Sequence, residues 1–332
     1  RQRLLMKDRP LHEPVMLNEA MGALNPIKGG IYLDATFGCG GYSRAILERA
    51  DCQVFAIDKD PTAVERGRNM QAQFNGRLFL AEGCFSKMKA LIYRQFSKKT
   101  KLAGATFDLG LCSTQIDEGQ RGFSFQKDGP LDMRMSQSGE SAADILMRIS
   151  EKDLAQILWD YGEEKASRRI AKAICNARSK NRISRTVQLA TIIHSVMPTK
   201  KPNQIDPATR SFQALRIFVN RELEILRAGL RTVESLLQPG GILAVVSFHS
   251  LEDRIVKKFL YSRSQHAPNP SRHLPVPKDR GSPTFELIFR KALTPSTEEQ
   301  ARNRRSRSAK LRVARRIRTF RGKSSENFER AT

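Results

Sequence analysis

Short apolar runs of β-forming residues recur through the first third of the chain, at residues 31–35, 53–58, 77–81 and 105–109, separated by segments that read as helices. Strands alternating with helices in this way predict a parallel sheet. The helix after the second run has a marked start, with Asp60 as N-cap and Pro61 at the first helical position, and continues to residue 74. Between about residues 139 and 207 the pattern turns helical throughout, with amphipathic segments at 153–161, 163–179 and 186–196. Residues 210–237 read as one long amphipathic helix that stops at Gln238-Pro239-Gly240-Gly241 and feeds a strand at 242–247; a last strand is expected at 284–293.

At 332 residues with 39% hydrophobic content, the chain can bury one large core with an insertion, or two cores. Its net charge of +24 favours a polyanionic partner, most plausibly nucleic acid, over a membrane surface. The longest apolar run, 241–248, is far short of the roughly 18–20 residues that span a bilayer, so a soluble protein is expected. Five cysteines without a CxxC pair suggest neither a zinc site nor a disulfide framework, and fit a reducing compartment. The chain opens Arg1-Gln2-Arg3 rather than with Met, which hints at a removed N-terminal segment. Residues 302–323 hold eleven Lys or Arg and no acid, which reads as an unstructured tail or a nucleic-acid arm.

Two stretches carry candidate chemistry. The first strand runs into Asp34-Ala35-Thr36-Phe37-Gly38-Cys39-Gly40-Gly41-Tyr42-Ser43, a glycine turn that lets a ligand approach the backbone at a helix start. Asp58 ends the second strand eighteen residues beyond Gly40, where a carboxylate can accept ribose hydroxyls. Asp34 at the turn would repel a pyrophosphate and suits an amine-bearing nucleoside such as S-adenosylmethionine. Phe85, after the third strand, sits where it could cover an adenine or simply join the core. The second stretch, 108–135, packs five acids, three bases and four glycines behind a buried strand, so it lies open or is organised around a ligand.

With these residues assembled, the chain resembles the MraW/RsmH family of S-adenosylmethionine-dependent methyltransferases over nearly its whole length. The motifs are His12-Glu13-Pro14-Val15, the glycine turn, AIDKDP at 56–61, the 108–135 block, YGEEKASRRIA at 161–171, PATRSFQALRIFVNREL at 207–223, SFHSLEDRIVK at 247–257 and RSRSAKLR at 305–312. The resemblance implies an α/β fold, a Rossmann-like class I methyltransferase sheet with an inserted helical domain. The sheet domain would comprise 1–138 and 208–300, the insert 139–207 and a basic C-terminal tail 301–332. It also implies methylation of the exocyclic N4 of a cytosine in small-subunit ribosomal RNA, free or in an assembling subunit. Gly40, Gly41, Tyr42, Asp58, Phe85, Asp108 and Gln115 would contact the cofactor. Departures are Ala35 for a usual Gly, Tyr42 for a common His and Cys112 for a common Ser.

The cytosine amino group is a poor nucleophile, so acceptors for its hydrogens should help; Asp108, Ser113 and Asp132 are the expected catalytic residues, with Arg134, Phe248 and His249 binding the substrate. Asp132 could instead serve as an N-cap or pair with Arg134, and His249 could be a satisfied structural histidine. Arg121 is either a phosphate contact or a partner of Asp117, and Arg168, Arg169, Arg210 and Arg216 could follow an RNA backbone. Two other functions stay open: a catalytically silent RNA-binding assembly factor, and a DNA amino-methyltransferase, although Asp108-Leu109-Gly110-Leu111-Cys112-Ser113 lacks that class's Pro-Pro-aromatic loop. Organellar relatives and the charge favour the mitochondrial matrix over bacterial cytoplasm. A homodimer or an assembly-factor partner is left open.

Overall fold

A computed structural model describes residues 14–197, 205–264 and 282–317. Seven strands form one sheet: β1 Ile31–Asp34, β2 Gln53–Asp58, β3 Leu78–Glu82, β4 Leu102–Asp108, β5 Leu237–Ser247, β6 Phe285–Leu287 and β7 Lys310–Arg316. Their order is β3-β2-β1-β4-β5-β7-β6, parallel from β3 to β5, with β7 antiparallel to both its neighbours. The expected Rossmann-like methyltransferase sheet is therefore present. Alternate residues of each strand feed opposite faces: Tyr32, Val54, Ala56 and Ala244 enter one apolar cluster, whereas Leu33, Phe55, Ile57 and Leu243 enter the other. Burial on both faces is why these strands read as continuous apolar runs.

Helices α1 Leu17–Leu24, α2 Gly41–Arg49, α3 Pro61–Gln73, α4 Met88–Gln95 and the short α5 Ser113–Asp117 accompany the first four strands. As expected, Asp60 caps α3 by accepting from Thr62 N at 3.0 Å, with Pro61 at its first turn. The inserted helices are α6 Ala142–Arg148, α7 Glu151–Gly162, α8 Ser167–Arg178 and α9 Thr186–Val196, and they share a third apolar cluster with α10 Ala208–Asn220 and with Phe123, Leu131, Met133 and Met135 of the long loop. The remaining helices are α11 Glu222–Leu236, α12 Ser250–Ser262 and α13 Thr297–Arg302. Among the described residues, no helix is long and apolar enough to cross a membrane.

Three expectations need correction. The helix expected over 210–237 is two helices, broken at Arg221, whose backbone is left-handed (φ 51°). One left-handed residue redirects the axis without disturbing the apolar period, since Ile217, Leu223, Leu226 and Leu230 are all buried. The strand expected over 284–293 pairs only through Leu287; past the exposed Arg290 and Lys291, a single bridge joins Leu293 to Leu311. The basic block is not all tail: 310–316 is β7, inside the sheet. Its charge hid a period of two, in which Leu311 and Val313 are buried while Arg312 and Lys310 bind Asp253 at 2.7 and 3.2 Å. The expected tail beyond residue 317 and most of the 263–283 loop lie outside the described residues.

The end of α10 holds the long loop in place. Asn220 donates to Met133 O (2.7 Å) and accepts from Met135 N (2.9 Å), both buried. Replacing it strands a backbone donor and acceptor away from water, so Asn220→Ala should lower unfolding free energy by about 2–4 kcal/mol, read from its urea midpoint.

Candidate functional site

The carboxyl ends of the parallel strands and the loops that leave them enclose a cavity of about 310 Å³. Open α/β sheets place ligands at this edge. The glycine turn forms one wall. Gly40 caps α2 with a positive φ of 79°, and a Cβ there would fall 2.7 Å from Met70 Sδ and 2.8 Å from the Phe37 ring. Gly40 thus shapes the turn from behind, while Gly41 and Tyr42 face the cavity. The Tyr42 hydroxyl donates to Val15 O at 2.6 Å, so the residue offers its ring rather than a free hydroxyl.

Asp34 does not meet a ligand amine. It is fully buried behind the turn, accepting from Ser43 Oγ (2.7 Å) and Thr36 N (3.2 Å), and burial pushes its pKa up to about 6. A carboxylate before glycines looked ligand-directed in sequence because the pleat that turns it inward is a property of register.

Asp58 and Asp108 line the cavity as expected. Both Asp58 oxygens accept backbone N–H groups, from Gly38 (2.7 Å) and Asp60 (2.8 Å), and burial again raises the carboxyl to about 6. Asp108 lies at the end of β4, and its Oδ1 is buried with no hydrogen-bond partner. Burial, followed by the nearby acidic groups Asp34, Cys112 and Glu252, pushes its pKa well above the ordinary carboxylate value. Phe85 also lines the cavity, set edge-on to Phe107 at 5.4 Å.

Ser113 and Gln115 reach the wall from α5, which starts the long loop. Gln115 is buried with its amide engaged at both ends, accepting from Cys112 N (3.0 Å) and donating to Asp60 Oδ2 (2.7 Å). Arg121 also donates to that Oδ2, at 2.7 Å, and Gln137 reaches Oδ1 at 3.2 Å. Arg121 thus pairs with Asp60 and not Asp117, which binds Arg305 instead at 2.6 Å. Burial opposes ionisation of Asp60, but the Arg121 and Gln115 hydrogen bonds prevail and hold its pKa below the ordinary carboxylate value. The loop closes on itself at Gly122 (φ 71°), where a Cβ would meet Pro130 O at 2.3 Å.

Other expected residues are placed apart from this wall. Asp132 and Arg134 pair with each other, Nη2 to Oδ2 at 2.6 Å and Nε to Oδ1 at 2.9 Å, and Arg134 borders a smaller adjoining cavity. Phe248 lines the main cavity across from Gly110. His249 precedes α12, nine-tenths buried beside Glu252 at 3.2 Å, and neither of its ring nitrogens makes a hydrogen bond. Arg216 is not on an RNA-facing surface: only 16% exposed, it donates to both Glu222 oxygens at 2.8 and 2.9 Å inside the cavity wall. Glu222, His249 and Glu252 bring ligand-type atoms within 4.8 Å of one another, and Glu222 already holds the Arg216 guanidinium. Sequence reading missed Lys59, Glu222 and Glu252 in the wall, and Asp60 as more than a cap. Lys59 and Asp60 stand within the AIDKDP motif, which was the available signal.

The MraW methylase family model matches residues 9–317. A ribosomal RNA small subunit methyltransferase H from Paramagnetospirillum magneticum is 52% identical over 304 residues, covering 91% of this chain and 95% of its own. The protein of the same name from Parvibaculum lavamentivorans is 52% identical over 305 residues, covering 92% and 89%. Among solved structures, an rRNA methylase from Streptococcus thermophilus aligns with a TM-score of 0.41 at 10% identity, covering 94% of this chain and 99% of its own.

Two outcomes are expected. A carboxyl whose folded pKa lies above its unfolded value stabilises the fold fully below the unfolded value and loses that contribution as pH rises through the folded one. For Asp34 that window runs from the ordinary 3.8 to about 6. The ligand-free protein should therefore gain stability on acidification from pH 7 to 5, and Asp34→Asn should shrink the gain by about 1 kcal/mol, measured by urea titration at each pH. Asp60→Ala leaves the Arg121 guanidinium buried without its carboxylate and should cost about 3–5 kcal/mol, with faster amide exchange confined first to residues 113–137.

Proposed function

The chain belongs to the MraW methylase family, and from that premise we propose that it transfers a methyl group from S-adenosylmethionine to the exocyclic N4 of a cytosine in small-subunit ribosomal RNA. Support comes from the curated relatives, which carry the name ribosomal RNA small subunit methyltransferase H over nine-tenths of the chain. The cofactor supplies an electrophilic methyl on a sulfonium centre. The residues present fit it: Gly41 and the Tyr42 ring border an open turn, Asp58 offers carboxylate lone pairs to ribose hydroxyls, and the Phe85 ring can cover an adenine.

The observation that carries the reading is Asp108 Oδ1, a buried acceptor without a donor in the protein, at the sheet edge and facing the cavity. Such an orphan costs about 1–3 kcal/mol unless a ligand satisfies it. A cytosine amino group does so, and its N–H bond polarises toward the carboxylate as the nitrogen becomes nucleophilic. A cationic group bound nearby lowers the carboxyl's raised pKa, leaving it ionised and able to take the proton that N4 sheds after methylation. Phe248 stacks on the base from the β5 side, and Ser113 holds it from α5. Asp132 and Arg134 act as positioning residues that fix the 133–135 backbone, and His249 acts through Glu252. Catalysis rests on alignment of nitrogen, methyl carbon and sulfur rather than on a covalent intermediate. The substrate is the small-subunit RNA of the compartment's own ribosome; the relatives named above are bacterial, which favours the bacterial cytoplasm, while the high positive charge supports the mitochondrial matrix as the alternative.

The test is transfer of labelled methyl to naked small-subunit rRNA and to immature subunits, followed by nucleoside analysis. N4-methylcytidine is expected, falling at least about a hundredfold in Asp108→Ala. No transfer to either substrate, with S-adenosylmethionine binding also absent, would sink the enzymatic reading in favour of an RNA-binding assembly factor.

A further inference from the structure

Two cysteine sulfurs meet in the wall of the cavity. Cys39 Sγ and Cys112 Sγ are 3.0 Å apart, each residue is half-buried, and both border the cavity. They come from separate elements, Cys39 from the glycine turn and Cys112 from the cap of α5, where Thr114 Oγ1 donates to its sulfur at 3.4 Å. The other cysteines are placed differently: the Cys52 thiol is buried against Ile46 O, Cys84 contacts Ser86, and Cys175 lies on α8.

We propose that Cys39 and Cys112 are an oxidative modification site, at which a peroxide closes a disulfide that ties the substrate loop to the cofactor turn and weakens cofactor binding. An S–S bond of about 2.05 Å requires the sulfurs to approach by only about 1 Å, within the travel of two side chains on loop positions. One thiol gives up its proton and its sulfur attacks a peroxide oxygen; the O–O bond breaks, and the departing hydroxide takes up that proton, leaving a sulfenic acid and water. The second sulfur then attacks the sulfenyl sulfur, its proton leaves with the hydroxyl as a second water, and the S–S bond forms. Two sulfurs are each oxidised by one electron while the peroxide is reduced by two. The hydrogen bond to Cys112, then burial, keeps the Cys39 pKa above that of an ordinary thiol, which suits Cys39 to the second, resolving step. The position of Cys112 explains the consequence: it lines the same cavity as Asp58 and Asp108, the two carboxylates assigned to cofactor and acceptor.

The inference rests on the cofactor assignment of this cavity, and its test is read without RNA. The full chain is treated with hydrogen peroxide, digested without reductant and analysed by mass spectrometry, while S-adenosylmethionine binding is followed by calorimetry. The expected result is a cross-linked peptide pair containing Cys39 and Cys112, a loss of affinity of about a hundredfold, the scale of a 1 Å misplacement in a tuned site, and recovery with dithiothreitol. Prior saturation with S-adenosylmethionine should slow the cross-link. Cys39→Ser and Cys112→Ser, each compared with its own untreated form, should show no peroxide-dependent loss. Separate oxidation of the two thiols without a cross-link, or a cross-link that leaves affinity unchanged, overturns the proposal. Failure of rRNA methylation with the cross-link and affinity loss intact would overturn the function proposed above and leave this one standing.

Discussion

One carboxylate joins the two halves of the site. Asp60 caps α3 immediately after the strand that delivers Asp58, and the same side chain receives Gln115, Arg121 and Gln137 from the long loop. Phe123, Leu131, Met133 and Met135 bury one side of the loop against the helical cluster, and its position over the strand ends is fixed further by the Asp60 contacts and by Asn220 at the far end of α10. A buried charge with several donors is costly unless every partner is present, and that makes the arrangement nearly all-or-none. Ligand-facing residues from two distant segments therefore share one frame.

Carboxylates gather at the cavity of a basic molecule. Asp58, Asp108, Glu222 and Glu252 line it beside Lys59, Arg216 and Arg305, and Asp34 lies behind it, while the chain as a whole carries +24. Surface charge draws a polyanion towards the protein over distances comparable to the screening length. Inside, the raised carboxyls of Asp58 and Asp108 favour a cationic or hydrogen-donating guest and disfavour phosphate. Under the function proposed above, the two fields would divide the tasks of attracting a nucleic acid and admitting a base and a sulfonium nucleoside to the interior.

What was legible in the sequence was local. The first four strands, the Asp60-Pro61 helix start and the glycine turn are written in adjacent residues, and the structure has them close to where the pattern put them. The inserted helices were equally plain from their spacing. Features set by partners far along the chain were not: the inward aim of Asp34, the burial of Arg216 against Glu222, and the loop contacts of Asp60 all depend on register or tertiary packing. The break at Arg221 escaped because periodicity reports which residues are buried and not the direction of the axis. In β7, high charge masked a two-residue period whose basic side chains bind Asp253.

The placement of β7 has a consequence for how the protein comes into being. β5, whose end delivers Phe248 to the cavity, pairs along Ile242–Ser247 with residues 310–315, far along the chain from it. During synthesis β5 emerges before that partner has been made, so the sheet carries an unpaired edge until residues 310–315 follow. Early folding can proceed through β1 to β4, which pair among themselves. A chain cut short before residue 310 therefore retains the glycine turn but exposes an adhesive strand, a substrate for quality-control proteases rather than a finished fold.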